Sequence, residues 1–252
     1  MSVLDYGWNG STVTFNGIAV APLTDLHQPN DPADFDTTGS TDTTHLHGTG
    51  LPKNSFSASC LGSNIPVAGK IVNIAASIAG GGATTPVTKS YAEALITQMS
   101  VSGRKDGRIE SSFTAMPGVS SLSAITYANS IADLGFNGSS FSFGGTAFTG
   151  LISANYTSSA TPVECSGAND TDNLYRPGIV DETLTIVALG GPQCLAKATG
   201  AAAMSWNDGG SVGTTAGSYT TECISTHPGG ALDGQTTTEY VFKMRRTGSG
   251  NS

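Results

Sequence analysis

The chain has 252 residues, room for one large domain or two of ordinary size, and only 12% are charged against about 25% in a typical soluble domain. A formal net charge of −8 argues against a nucleic-acid binder, which neutralises phosphates with clustered Lys and Arg, but leaves open a non-sticking conduit for DNA. No apolar run approaches the ~18 residues of a membrane-spanning helix, and MSVLDYG lacks the basic start and apolar core of a signal peptide.

With 33 glycines and abundant Ser and Thr, the composition fits a β protein that meets water through hydroxyls, or a subunit that hides its surface in neighbours. The sequence also repeats itself. Asn9 and Asn137 lie 128 positions apart, as do Gly50 and Gly178, and the alignment from Ser2/Ser130 to Gly62/Gly190 needs no gap. A period this long fits two copies of a domain rather than a solenoid repeat. The reading is a first domain over 1–116, a linker over 117–129 and a second domain over 130–252.

In chain order, residues 2–8 form an arm whose second copy is 130–136. Thr12–Phe15, Asn16-Gly17 and Ile18–Val20 read as a hairpin. The second copy replaces the NG turn with Gly144-Gly145, another dipeptide tolerant of positive φ. Residues 24–50 and 152–178 are long, polar, rich in Pro, Asp, Thr and Gly, and equal in length. They read as loops without regular structure that dock on something. Segments 55–62 and 183–190 alternate as strands do, and 70–77 is a further strand. Tyr91–Met99 fits a short helix or a strand, and its counterpart near 219–225 favours strand. Asp106-Gly107 and Asp233-Gly234 are hairpin turns into closing strands, offset by 127 at the turn and 128 at Met116/Met244. The fold class is all-β: two tandem sandwich-like or barrel-like domains, with one short helix each as an option.

Catalytic and metal signatures are weak. His45 and His47 could share a metal with Asp36 or Asp42, but the duplicate carries Asn173 and Tyr175, so exposed or interface histidines are the better reading. The acidic groups Asp31/Asp34/Asp36 and Asp170/Asp172 lack the calcium-loop register. No G-x-S-x-G elbow or phosphate loop is present. Trp8 and Phe136 occupy one repeated position and read as core or interface packing rather than a sugar platform. Cys60, Cys165, Cys194 and Cys223 form no CxxC and none pairs with another across the repeat, so all four read as free thiols of a reducing compartment. No catalytic residue, cofactor or metal is expected.

The repeated β domains, the N-terminal arm, the long segment after the second strand, the DG hairpin and a last strand closing with Met244–Gly248 (MRRTG) occur together. With phrases such as DTDNLYRPG and DTTHLHGTGLP, this combination resembles the major tail (tail tube) protein of siphovirus-type bacteriophages, in particular members with two tube domains per chain. The resemblance implies homotrimers forming pseudo-hexameric rings, whose sheets join edge to edge around a channel. Rings would stack through the long segments, with Phe35, Leu46, Leu174 and Tyr175 as contacts. It also implies other tail proteins at the tube ends, duplex DNA passing without specific binding, no membrane, and assembly in the bacterial cytoplasm into a virion tail. The competing readings are a capsid decoration or virion-surface protein, a carbohydrate-binding adhesin module, and an enzyme.

Overall fold

The computed structural model describes residues 12–27, 30–36, 47–78, 87–119, 122–123, 134–167, 170, 173–213, 219–232 and 235–246. Every regular element among them is a strand. The first half contains β1 (Thr12–Phe15), β2 (Ile18–His27), β3 (Asn30–Asp36), β4 (His47–Asn54), β5 (Phe56–Leu61), β6 (Ile71–Ile78), β7 (Val87–Arg104) and β8 (Ile109–Pro117). The second half contains β9 (Ser140–Phe143), β10 (Thr146–Ala147), β11 (Leu151–Glu164), β12 (Tyr175–Leu189), β13 (Thr199–Gly200), β14 (Ala202–Ser205), β15 (Ser211–Gly213), β16 (Tyr219–Leu232) and β17 (Gln235–Arg246).

In the first half the pairing runs β7-β6-β1-β2-β5-β8, and β8 pairs back onto β7, so six antiparallel strands close a barrel. Alternation puts Phe56, Ala58 and Cys60 of β5 and Ile109, Phe113 and Ala115 of β8 inside, with Val13, Phe15 and Ile74 opposite. Phe113 holds this interior together, edge-on to Phe15 at 5.0 Å and stacked on Phe56 at 5.7 Å. The second half follows the same circuit with two strands broken: β10 and β11 stand where β2 is continuous, and β13 and β14 where β6 is. Its interior is centred on Phe242, with Phe141 and Phe143 each at 5.0 Å, and on Tyr240, packed on Phe148 at 5.0 Å. The Tyr240 hydroxyl accepts from Gln193 N–H at 2.7 Å, so the buried ring leaves its polar end satisfied.

The pairings of the first half recur in the second. Thr12↔Ser77 and Phe15↔Ile74 reappear as Ser140↔Ser205 and Phe143↔Ala202, each residue advanced by 128. Leu23↔Cys60 reappears as Leu151↔Ala188, with a bulge just beyond it in both. The hairpin turns also match, with Asn16 and Gly17 at φ 50° and 80°, and Gly144 and Gly145 at 58° and 81°. From β7 onward the advance is 127: Ile96↔Ala115 and Met99↔Phe113 become Cys223↔Phe242 and Thr226↔Tyr240. The one-residue difference therefore lies between β6 and β7, and Met244 stands where Pro117 stands rather than Met116. That corrects the expected 128 at Met116/Met244, where a shared methionine coincided with the neighbouring register.

Two expectations about local structure change. Tyr91–Met99 is strand throughout, part of the 18-residue β7, and no helix forms among the described residues. The described parts of the polar segments 24–50 and 152–178 are not structureless loops but the arms of long hairpins. β3 pairs with β4 from Asn30↔Asn54 to Asp36↔His47, and β11 with β12 out to Glu164↔Tyr175. The β11–β12 arm reaches beyond the core, so its outer end is exposed on both faces. β12 loses its alternating burial over 175–181 and regains it over 182–189. A strand with two wet faces carries no apolar period to read.

Gly69 and Lys197 occupy matching sites with φ +82° and +69°, and each N–H donates to a matching carbonyl, Ile96 and Cys223. A lysine in this conformation is strained by about 1 kcal/mol. Lys197→Gly is expected to stabilise the protein by up to ~1 kcal/mol in urea unfolding. Gly69→Ala is expected to destabilise it, because a Cβ there would lie 2.8 Å from Val180 Cγ2. Destabilisation by Lys197→Gly, or no loss of stability in Gly69→Ala, would refute the matched geometry.

Candidate functional site: a hydroxyl-lined sheet and two hairpin arms

The two barrels are joined by β7. Its first half pairs with β6 inside the first barrel, and its second half pairs with β11 of the second barrel from Ser153↔Arg104 to Ser159↔Gln98. Since β8 also lies along β7, a single sheet runs β5-β8-β7-β11-β12-β17-β16 across both barrels. A buried carboxylate supports the joint. Asp208 accepts from the Ser63 hydroxyl at 2.6 Å and also from the Ser63 backbone N–H, linking the segment after β5 to the one after β14. Phe136 lies over Gly103, where a Cβ would run into the ring, and packs edge-on to Trp206 at 6.0 Å. The buried Phe136 thus bears out core packing for that position; Trp8 lies outside the described residues.

One face of the seven-strand sheet covers the barrel interiors, and the other carries the alternate residues. These are Ser57 and Ser59, Ser112 and Thr114, Gln98, Ser100 and Ser102, Asn155, Thr157 and Ser159, then Thr183 and Thr185. Hydroxyls meet across strands, as in Ser100 Oγ to Ser112 Oγ at 2.8 Å. Carboxylates Glu110, Asp181 and Glu239 on this face outnumber the cations Arg104 and Lys243. A trough of about 450 Å³ runs along it between Ser57, Gln98, Ser112 and Thr157. Among the described residues this face is mostly uncharged and its two cations sit apart from each other, on β7 and β17.

The second element is the pair of hairpin arms. Phe35 lies on β3 opposite Gly48; Leu46 lies outside the described residues, as do His45 and Asp42. Asp36 and His47 are register partners at the outer end of the β3–β4 ladder. Leu174 and Tyr175 come together at the base of the β11–β12 turn, both half-buried. The Leu174 carbonyl accepts from Cys165 N–H at 2.9 Å, and its N–H donates to Ser166 Oγ at 2.8 Å. The Tyr175 carbonyl accepts from Val119 N–H at 3.1 Å, tying the arm to the chain just after β8. Desolvation first, and the Glu164 carboxylate second, push the Tyr175 hydroxyl above its usual range. The larger exposed apolar groups on this arm are Val163 and Ile179, 53% and 79% exposed, which the sequence reading missed. Val163 is the counterpart of Phe35 and stands opposite Arg176 as Phe35 stands opposite Gly48. That alignment was the available signal.

Among the described residues no cluster of three or more His, Cys, Asp or Glu is placed to hold a metal, and no helix is long and apolar enough to cross a membrane. The four thiols are free. Burial pushes Cys60 up to about 12; burial and the neighbouring Cys223, at 3.4 Å, push Cys194 to about 12. No protein-family model matches the chain, and the search of curated proteins found no relative.

Because the thiolate is the reacting form, Cys165, exposed, should label first with a disulfide reagent at pH 8, while Cys60 stays silent until the chain unfolds. The folded state keeps Cys60 protonated, so its contribution to stability is full below about pH 9 and is lost as pH climbs towards 12. Cys60→Ala should flatten that alkaline decline; an unchanged slope in urea titrations from pH 8 to 11 would refute the assignment.

Proposed function

We propose that this protein is a structural, non-enzymatic subunit of a phage tail tube, built from two tandem copies of one β-barrel domain. The observation that carries the reading is the seven-strand sheet that passes unbroken from one barrel to the next with a hydroxyl-rich, weakly acidic outer face. A tube for DNA needs a continuous wall without basic patches, since each Lys or Arg against phosphate releases counterions and binds. Matching registers in the two halves support two equivalent building units per chain, so that three chains would supply six units to a ring. The resemblance in the sequence points the same way. On this reading the hairpin arms are the contacts between stacked rings, with Phe35, Val163, Leu174, Tyr175 and Ile179 as their apolar groups, joined by Leu46 from the sequence. The duplex passes through the channel, and the assembled protein resides in the virion tail.

Negative-stain microscopy of concentrated protein should show rings or hollow tubes wide enough for duplex DNA. Monodisperse monomers at every concentration, even with added tails, would overturn the reading. Val163→Asp with Ile179→Asp should leave the melting temperature almost unchanged, as exposed substitutions do, yet stop rings from stacking. Tubes of normal length from that variant would remove the arms from the stacking contact.

A further inference from the structure

The second barrel holds two thiols in contact at a place where the first barrel holds none. Cys194 Sγ lies 3.4 Å from Cys223 Sγ. Cys194 sits in the segment between β12 and β13, and Cys223 on β16. The backbone that carries them is shared by both halves. Gly69 N–H donates to the Ile96 carbonyl and Ile96 N–H to the Lys70 carbonyl; Lys197 N–H donates to the Cys223 carbonyl and Cys223 N–H to the Ala198 carbonyl. Cys194 therefore stands in the place of Pro66, and Cys223 in the place of Ile96. One frame, filled in one copy by a buried proline and isoleucine, is filled in the other by two cysteines. A single buried cysteine is an ordinary small apolar filler. Two at one contact, both confined to one copy, make a dithiol.

Cys194 is pinned on both sides. Gln193 N–H donates to the Tyr240 hydroxyl at 2.7 Å, the Cys194 carbonyl accepts from the Thr226 hydroxyl at 3.4 Å, and Lys197 N–H reaches the Cys223 carbonyl at 2.6 Å. The two thiols are thus presented to each other at high effective concentration. Their exposure differs. Cys223 is fully buried, whereas Cys194 is half-buried beside the exposed Pro192 and Leu195. A small reagent reaches Cys194 and not Cys223.

We propose that Cys194 and Cys223 form an oxidation site, a dithiol that a small-molecule disulfide closes into a cystine stapling the 190–198 segment to β16. Cys194 gives its proton to solvent, and its thiolate attacks one sulfur of the reagent, expelling the first reagent thiolate, which takes up a proton. Cys223, deprotonated in turn, attacks Cys194 Sγ and expels the second. Two protein thiols are oxidised to one disulfide, and one reagent disulfide is reduced to two thiols. The sulfurs must close from 3.4 Å to about 2.05 Å, and the exposed segment rather than the strand supplies the movement. Burial first, and the neighbouring thiol second, hold Cys194 up at about 12 and keep the first step slow. A reducing compartment leaves the pair open, and release into an oxidising one closes it. The site stands apart from the tube reading, since nothing in it needs a second copy.

The test uses the full chain carrying Cys165→Ser, which removes the exposed thiol and leaves three. The folded protein is held with oxidised glutathione at pH 8, then unfolded in urea with excess maleimide, and the labelled thiols are counted by mass. Only Cys60 should take the label, and a peptide map should show Cys194 joined to Cys223. The oxidised form should melt about 5–10 °C above the reduced one, since the bridge closes a long loop of the unfolded chain. Dithiothreitol should reverse the gain. Cys194→Ser should abolish both the bridge and the response of the melting temperature to oxidant. Three thiols still free after a day of oxidation, or glutathione retained on Cys194 without closure, overturns the proposal, and so does a link through Cys60. A bridge with no rise in melting temperature overturns the staple. Rings or tubes by microscopy bear on the tube reading alone, whichever way the thiols react.

Discussion

The structure depends on a change of partner halfway along one strand. β7 begins as the closing strand of the first barrel, beside β6, and ends as the mortise for the second, beside β11. Its other side stays paired with β8 from Ala94 to Gly103. The bulge between Ile96 and Gln98 sits at the changeover and turns the strand from one partner towards the other. Because the joint is a backbone ladder, it is directional and fixed in register, and a slip of one residue would bring Ser100, Ser102 and Thr157 into the buried layer. The Ser63–Asp208 pair adds a buried polar tie whose loss would leave the carboxylate with only the Gly210 N–H as a donor.

Much of this was legible in the sequence, and what was legible had a period. The hairpins at Asn16-Gly17 and Gly144-Gly145, the alternation of 55–62 and 183–190, and the all-β class all follow from alternating side chains and turn residues with positive φ. The hairpin arms escaped, β11–β12 because a strand exposed on both faces has no buried side to mark. Prolines 32, 52, 162 and 177 sit within them, a residue usually taken to end a strand but acceptable where a ladder is peripheral. The joint between barrels escaped for another reason. The sequence marked only Tyr91–Met99 of β7 as an element, and nothing local says that the strand runs on to Arg104 or that its second half serves a different neighbour.

The candidate site was legible by half. Leu174 and Tyr175 do lie together at the turn end of the arm, where backbone bonds from Cys165 and Val119 hold them. Val163 and Ile179, more exposed and one to a few residues nearer the barrel, were passed over because the strand around them shows no alternating burial. The hydroxyl-lined face was visible only as a surplus of Ser and Thr. It takes the ladder to show that these residues share one side of one sheet, with their carboxylates and cations interspersed.

The arrangement of β7 also bears on how the chain is made. Once Pro117 has left the ribosome, all six strands of the first barrel are available to close, whereas β11 is still some tens of residues away. Through that interval the 98–104 edge is bare. Any β11 will fit it, including one from a neighbouring nascent chain that has run ahead. Exchange of that kind yields an intertwined dimer with the same ladder as the monomer, differing only in connectivity across residues 118–139. It would be seen on size-exclusion chromatography as a species that does not dissociate on dilution, and fast expression would favour it. The strand that lets two barrels act as one wall is thus also the point where two polypeptides are most easily confused for one.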